Sequence, residues 1–299
     1  MKRNIISDEF ISQLEAISLN MKGLMKGYFG GNHKTSSYGS TVEFADFREY
    51  VLGDDIRRID WNLFSRFEKY FIKLFVDERQ MHMQFFIDCS SSMGVEGTKK
   101  RETALKVLAA LGFISIHNMD KISYKFMYGD SSLDKFGVIC GKDAYYRALD
   151  DLENIKFNGE VDIEKAIKSS PSIGHNDGLT VIVSDFLTES NFKSAVDYLL
   201  YNKREVMLVQ ILSSDELNPG YNGRNILMDS EGADSIVDKS LKINITRGAY
   251  EAYQQAVKDY LADIKNFCKS RGVDYLLLSS DSNIEKLLLE QLYAKGVIK

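Results

Sequence analysis

From residue 81 onward, short runs of apolar residues alternate with longer stretches of helical periodicity. The apolar runs are continuous, which is typical of strands covered on both faces, and their alternation with helices indicates parallel βαβ units. The predicted strands are Met81–Asp88, Ile122–Tyr128, Leu179–Asp185, Val206–Leu212 and Val273–Leu278, with Phe136–Cys140 as a candidate partner of the second. We therefore predict an α/β fold with a doubly wound, mostly parallel, Rossmann-like sheet.

Helical periodicity completes this pattern. The predicted helices are a first one starting at Ser7, then Lys99–His117, Ala144–Ile155, Ile163–Ser169, Phe192–Asn202, Arg247–Ser270 and Asn283–Ala294. Residues 29–41 are polar and glycine-rich without a period, which predicts an extended loop. Turn-rich sequence at about residues 215–245 predicts a β insertion with its own hairpin.

These patterns divide the chain into two parts. Residues 1–80 are expected to form an N-terminal helix and an extended segment that packs on the main domain. Residues 81–299 are expected to form that α/β domain with its insertion. The charged stretch within residues 39–78 is either a partner-facing surface or an ion-paired segment packed on the main domain. The second interpretation is favoured, because mixed charges beside an aromatic residue such as Trp61 pack readily.

Composition narrows the functional classes. The 299-residue chain has 38 basic and 43 acidic side chains, a net charge of -5 and 44% hydrophobic residues. This composition excludes wholesale disorder and disfavours binding to nucleic-acid phosphates. Cys89, Cys140 and Cys268 form no CxxC pair, which argues against a disulfide framework, and no apolar run reaches membrane-spanning length. We expect a cytoplasmic protein without a nucleic-acid partner or membrane insertion.

The candidate chemistry lies where strands end. Asp88, Ser90 and Ser92 follow one predicted strand in a D-x-S-x-S arrangement, and Asp185 ends another. In a doubly wound sheet, ligands bind beyond the carboxyl ends of the strands. Two carboxylates with hydroxyl oxygens are donors that suit Mg²⁺, so these four residues are predicted to be metal ligands.

Two motif sets resemble known families. Asp88-x-Ser90-x-Ser92 resembles the metal-ion-dependent adhesion site (MIDAS) of von Willebrand factor A domains. The second set resembles the domain-of-unknown-function family fifty-eight, which joins an upstream segment to a von Willebrand A-like domain. Its motifs here are Gly39, Glu43-Phe44, Arg48-Glu49-Tyr50, Gly53-Asp54-Asp55-x-Arg57-x-Ile59-Asp60-Trp61, Ser65-x-x-x-x-Tyr70, Lys73-x-Phe75-x-x-Glu78, Arg247-x-x-Tyr250 and Gly272-Val273-Asp274-Tyr275. This resemblance implies a partner of MoxR-type AAA+ ATPases that acts on client proteins in assembly or maturation.

The resemblance departs from the family pattern at one position. In von Willebrand A domains a threonine supplies another metal oxygen or binds a metal-bound water, and here Val161 holds that position. Valine has no oxygen, so Glu160 or Asp162 would have to compensate through water. We expect Mg²⁺ binding to be weaker than in a complete site, or absent.

Other interpretations of these residues stay open. The local pattern at Asp88 also predicts a capped turn without a ligand. The alternative function is a metal-dependent phosphatase or hydrolase that uses Asp88, although Ser90 stands where such an enzyme needs a second carboxylate. A reactive thiolate at Cys89 is a further alternative, with packing as the expected role.

The start of one predicted helix is unusually basic. Lys99, Lys100 and Arg101 oppose the helix dipole there. Our hypothesis is that they form a positive rim beside Asp88, which attracts an acidic partner segment whose carboxylate completes the metal sphere. The sequence thus predicts a non-catalytic interaction module that docks its partners through a bridging cation.

Overall fold

The computed structural model describes seven stretches of the chain. These are residues 5–21, 42–77, 81–170, 178–188, 190–219, 223–227 and 241–281, so the predicted loop at 29–41 and the predicted last helix lie outside the described residues. The chain divides into two compact units, one of residues 30–80 and one of residues 1–29 with 81–299. Helix α1 (Asp8–Met21) therefore belongs to the larger unit, whereas the predicted boundary grouped it with the extended segment.

The smaller unit is an antiparallel hairpin with a short helix between its strands. Strand β1 (Val42–Glu49) pairs with β2 (Phe71–Asp77) through a register shift between Phe44 and Asp46. Helix α2 (Trp61–Phe67) begins at the Asp60 N-cap, whose carboxylate accepts hydrogen bonds from two backbone N–H groups of the first turn. The sequence pattern did not predict this hairpin, because its strands carry many charged residues.

The larger unit is built on a six-stranded sheet within the described residues. The remaining described strands are β3 (His82–Asp88), β4 (Lys121–Tyr128), β5 (Ser131–Asp134), β6 (Gly178–Ser184), β7 (Arg204–Leu212), β8 (Gly223–Leu227), β9 (Leu241–Ile245) and β10 (Asp274–Ser279). The sheet has the order β10-β7-β6-β3-β4-β5, and all its pairs are parallel except β4 with β5. The predicted mostly parallel α/β sheet is confirmed, and β8 and β9 form the antiparallel hairpin of the predicted insertion.

One predicted strand is wrong. The antiparallel partner of β4 is Ser131–Asp134, and the predicted partner Phe136–Cys140 contributes only an isolated bridge between Ile139 and Ile122. A turn at Gly129, with a φ of 53°, brings the chain back after β4 several residues earlier than the apolar pattern suggests.

Helices cover both faces of the sheet. After α2 they are α3 (Ser91–Gly94), α4 (Lys100–His117), α5 (Lys142–Leu152), α6 (Ile163–Lys168), α7 (Phe192–Tyr201), α8 (Ser214–Leu217) and α9 (Arg247–Arg271). Phe85 and Ile87 belong to the hydrophobic cluster that includes residues of α1, α4 and α5. Phe86 belongs to the cluster of α6, α7 and α9, because successive strand residues point to opposite faces. None of the described helices is long and apolar enough to cross a membrane.

Candidate functional site

The sheet brings the predicted site residues to one edge. Asp88 is the last residue of β3, Asp185 directly follows β6, and β3 and β6 are neighbours in the sheet. Since β4 lies on the other side of β3, this is the topological switch point at which α/β proteins bind ligands. Both carboxylates are almost fully buried, with 3% of Asp88 and 1% of Asp185 exposed.

Asp88 is held by hydrogen bonds to both of its carboxylate oxygens. The backbone N–H of Ser90 donates to Oδ1 at 2.9 Å, and the hydroxyl of Ser184 donates to Oδ2 at 2.6 Å. Burial raises the pKa of Asp88, and the negative charge of Asp185 raises it further, against these hydrogen bonds. The capped turn that the local pattern predicts is therefore present, whether or not a ligand binds.

The two serines of the motif contact each other. The hydroxyl oxygens of Ser90 and Ser92 are 3.0 Å apart, and Ser90 is the N-cap residue of α3. Between them, Ser91 exchanges hydrogen bonds with the backbone of Gly159, which positions the turn that carries Val161. Val161 is 7% exposed and packs in a hydrophobic cluster.

Asp185 forms a buried ion pair that the sequence did not predict. Its Oδ2 accepts a hydrogen bond from the Nζ of Lys100 at 2.9 Å, and its Oδ1 accepts one from the backbone N–H of Leu187 at 3.0 Å. The same ammonium group donates to Oε1 of Glu216 at 2.6 Å. Burial lowers the pKa of Lys100, but the two carboxylates outweigh burial and hold this pKa above its usual value.

Glu216 is the site residue that sequence reasoning missed. It lies in α8 directly after β7, where Ser213 and Glu216 form a capping box: the Ser213 N–H donates to Oε2 at 2.7 Å, and the Glu216 N–H donates to the serine hydroxyl. The Ser-x-x-Glu spacing after a strand was the signal that could have identified it. The capping box leaves Oε1 free to bind the ammonium group, so the local turn orients the second acidic partner of Lys100.

The turn after Asp185 is fixed from three sides. Phe186 has a φ of 55°, in the left-handed region that a phenylalanine rarely adopts. Its backbone oxygen accepts a hydrogen bond from the hydroxyl of Tyr260, and its N–H donates to Ser184. Gln210 donates to the backbone oxygen of Asp185 at 2.7 Å. The strained turn is thus held in one conformation, which places the Asp185 carboxylate toward Lys100.

The expected positive rim at the start of α4 is wrong for two of its three residues. Lys100 is 1% exposed and points into the ion pair. Arg101 donates to the backbone oxygen of Glu153 at 2.7 Å and lies over the Phe157 ring. Only Lys99 is exposed at this position, so these residues do not form a partner-facing patch.

The reactive-thiolate alternative is also wrong. Cys89 has no exposed surface, and burial raises its pKa to about 12. A thiol with this pKa stays protonated at neutral pH and is a poor nucleophile.

As arranged, the predicted ligands do not fit a resident divalent cation. Their oxygens are of the kind that Mg²⁺ takes, but Asp185 is already neutralised by an ammonium group. The threonine position is a buried valine, and Asp162, one of the two residues considered for compensation through water, caps α6 and pairs with Lys165. In the part of the chain that the structure describes, no group of three or more His, Cys, Asp or Glu side chains is arranged to hold a metal ion.

The smaller unit carries a second candidate surface. Arg48 and Asp54 form a bidentate ion pair, and Lys73 pairs with Asp60, so the ion pairs expected in this segment are present. Trp61, however, is 62% exposed. It borders an open groove of about 400 Å³, here called the aromatic groove, which is lined by Tyr50, Ile56, Arg57, Ile59, Trp61 and Tyr70.

The chain resembles several known proteins in sequence and in structure. Uncharacterised proteins of Mycobacterium bovis and Mycobacterium tuberculosis are 23% identical over 297 residues, covering 91% of this chain and 93% of theirs. Among solved structures, the conserved hypothetical protein BatB from Bacteroides thetaiotaomicron is 13% identical with a TM-score of 0.43, covering 72% of this chain and 98% of its own. A von Willebrand factor type A protein from Catenulispora acidiphila is 12% identical with a TM-score of 0.36, covering 60% of this chain and 43% of its own.

A family match settles the affiliation that the motifs suggested. One family model matches residues 46–260 of the 299. This range includes most of the hairpin unit, the carboxylates Asp88 and Asp185, and Lys100. The chain belongs to the family described as Protein of unknown function DUF58.

Proposed function

We propose that this protein is a non-catalytic, cytoplasmic interaction module that serves as an adaptor or partner of a MoxR-type AAA+ ATPase in the assembly or maturation of client proteins. The ATPase partnership is what the motif resemblance implies. The observation that carries the interaction role is the aromatic groove, in which Trp61 leaves 62% of its surface exposed.

Several features of the aromatic groove suit protein binding. The rings of Phe64 and Tyr70 stack at 4.6 Å, and both contact the Trp61 ring edge-on at 6.1 and 6.5 Å. These contacts orient the tryptophan before a partner arrives, which lowers the entropy lost on binding. Tryptophan and tyrosine are also the residues most often found at interface hot spots.

The chemistry of the groove suggests what it binds. Its lining is apolar and aromatic except for Arg57, whose backbone N–H is tied to the Asp55 side chain. Nearby, Leu52 is 95% exposed and Val51 is 61% exposed, which extends the apolar surface. We infer that the groove accepts an apolar segment of the partner with an acidic residue placed near Arg57.

The sheet edge gives less support to the alternative hydrolase. A nucleophilic carboxylate has to reach its substrate, whereas Asp88 is 3% exposed and both of its oxygens accept hydrogen bonds. The burial and the hydrogen bonds of Asp88 therefore favour the interaction role over catalysis.

The proposal is tested by the affinity of the purified protein for a purified MoxR-type ATPase. Removing the exposed indole in Trp61→Ala should weaken binding about 30-fold, the loss expected of a hot-spot residue. The matched control is Tyr201→Ala, since Tyr201 is an 85% exposed aromatic residue at the end of α7 in the other unit. Equal affinities of the wild type and both variants would contradict the proposal.

A further inference from the structure

Lys100 is the most unusual charged residue of the described sheet edge. Its side chain is 2% exposed, although it is the first residue of α4, where a positive charge opposes the helix dipole. A buried ammonium group is stable only when it is paired and hydrogen-bonded. Here Asp185 and Glu216 provide that pairing at 2.9 and 2.6 Å.

The ammonium group joins three elements that meet at the switch point. Lys100 starts α4, Asp185 follows β6, and Glu216 lies in α8 after β7. Each acidic partner is held independently of the lysine, Asp185 by the Leu187 N–H and Glu216 by its capping box. The carboxylates would therefore converge on this point even without Lys100, and a positive charge is needed there.

We propose that the Lys100 ammonium group is a built-in cation that replaces a divalent metal ion at this sheet edge. The edge keeps its structure without metal, and it docks no partner carboxylate through a metal bridge. This inference is independent of the proposed ATPase partnership, because it concerns the stability and cation binding of the chain alone.

The test is thermal unfolding of the full chain in chelator and in millimolar magnesium chloride. The wild type should unfold at the same Tm in both. Lys100→Met should lower the Tm by roughly 6–20 °C in chelator, since it leaves the buried Asp185 and the partly buried Glu216 without a counter-charge. Magnesium should recover several degrees of that loss, because the two unpaired carboxylates then form a site for a divalent ion.

A second buried lysine provides the matched control. Lys125 is 1% exposed, and its ammonium group donates to the hydroxyl of Ser170 at 2.7 Å. Lys125→Met should be destabilised without any recovery by magnesium. If Lys100→Met does not fold, the double variant Lys100→Met/Glu216→Gln takes its place in the same comparison. The double variant is milder because only the Asp185 carboxylate is then left without a counter-charge.

Two outcomes would overturn the proposal. One is a rise in the wild-type Tm with magnesium that disappears in Asp88→Asn, because the wild type would then hold a divalent ion beside Lys100. The other is a folded Lys100 variant that gains no more from magnesium than Lys125→Met gains, because ammonium and metal would then not be interchangeable at this point.

Discussion

The buried ion pair of Lys100 makes a quantitative prediction about stability. In Lys100→Met the aliphatic side chain keeps most of the packing volume, and only the ammonium group is lost. Asp185, 1% exposed, then remains as a buried charge without its partner, whereas the Glu216 side chain is 26% exposed and partly hydrated. Breaking a buried pair in this way costs about 3–5 kcal/mol, a large share of a net stability of about 5–15 kcal/mol.

Urea unfolding in a double-mutant cycle separates this electrostatic cost from lost packing. Asp185→Asn alone should also be strongly destabilising, but Lys100→Met/Asp185→Asn should cost less than the sum of the single changes by about 2 kcal/mol or more. Replacing all three charges in Lys100→Met/Asp185→Asn/Glu216→Gln should recover more of the stability. A Lys100→Met cost below about 1 kcal/mol, typical of a surface ion pair, would refute this reasoning, as would a cycle with no coupling.

Three further predictions concern other residues. The half-buried ring of His82 has its pKa lowered by burial from 6.5 to about 4, so the unfolded chain binds a proton between these pH values that the folded chain does not. As the pH falls through this window, the free energy of unfolding of the wild type should therefore drop by about 1–2 kcal/mol relative to that of His82→Gln, allowing for solvent screening. Parallel pH profiles of the two proteins in urea unfolding would contradict this. Val161→Thr buries a hydroxyl and should lower the free energy of unfolding by about 1–3 kcal/mol without making the Tm depend on magnesium. A thermal scan in which magnesium raises the Tm of this variant would contradict the prediction. In the native protein a maleimide should modify the exposed Cys140 and spare the buried Cys89, and equal labelling by mass spectrometry would show that Cys89 is accessible.

The fold was predictable because its signals are local and repeated. Strands such as β3, covered on both faces, have continuous apolar runs that leave little choice of secondary structure. The pattern of parallel βαβ units also predicts that Asp88 and Asp185 lie at one edge of the sheet, because the carboxyl ends of parallel strands share an edge. The hairpin of β1 and β2 was missed because charged residues such as Arg48 and Lys73 lie within it and hide the strand periodicity.

The candidate site was only half predictable. Asp88, Ser90 and Ser92 are close in sequence, so their convergence follows from a single extended turn. Lys100, by contrast, is 85 residues from Asp185 and 116 residues from Glu216 in the sequence. A lysine at a helix start normally indicates a solvated residue, and only the packing of α4 against the sheet shows that its side chain points inward. The positive charge of Lys100 at this site therefore depends on tertiary contacts and could not be predicted from the local sequence.

Amide hydrogen exchange of the protein, alone and bound to a MoxR-type ATPase, tests most directly where the partner docks. We expect complex formation to slow exchange at residues 50–61, which border the aromatic groove. Residues 90–99, which follow the sheet edge around Asp88, should exchange at the same rate in both states. Slower exchange confined to residues 90–99, with residues 50–61 unaffected, would contradict docking at the groove and return the sheet edge to consideration as the binding site.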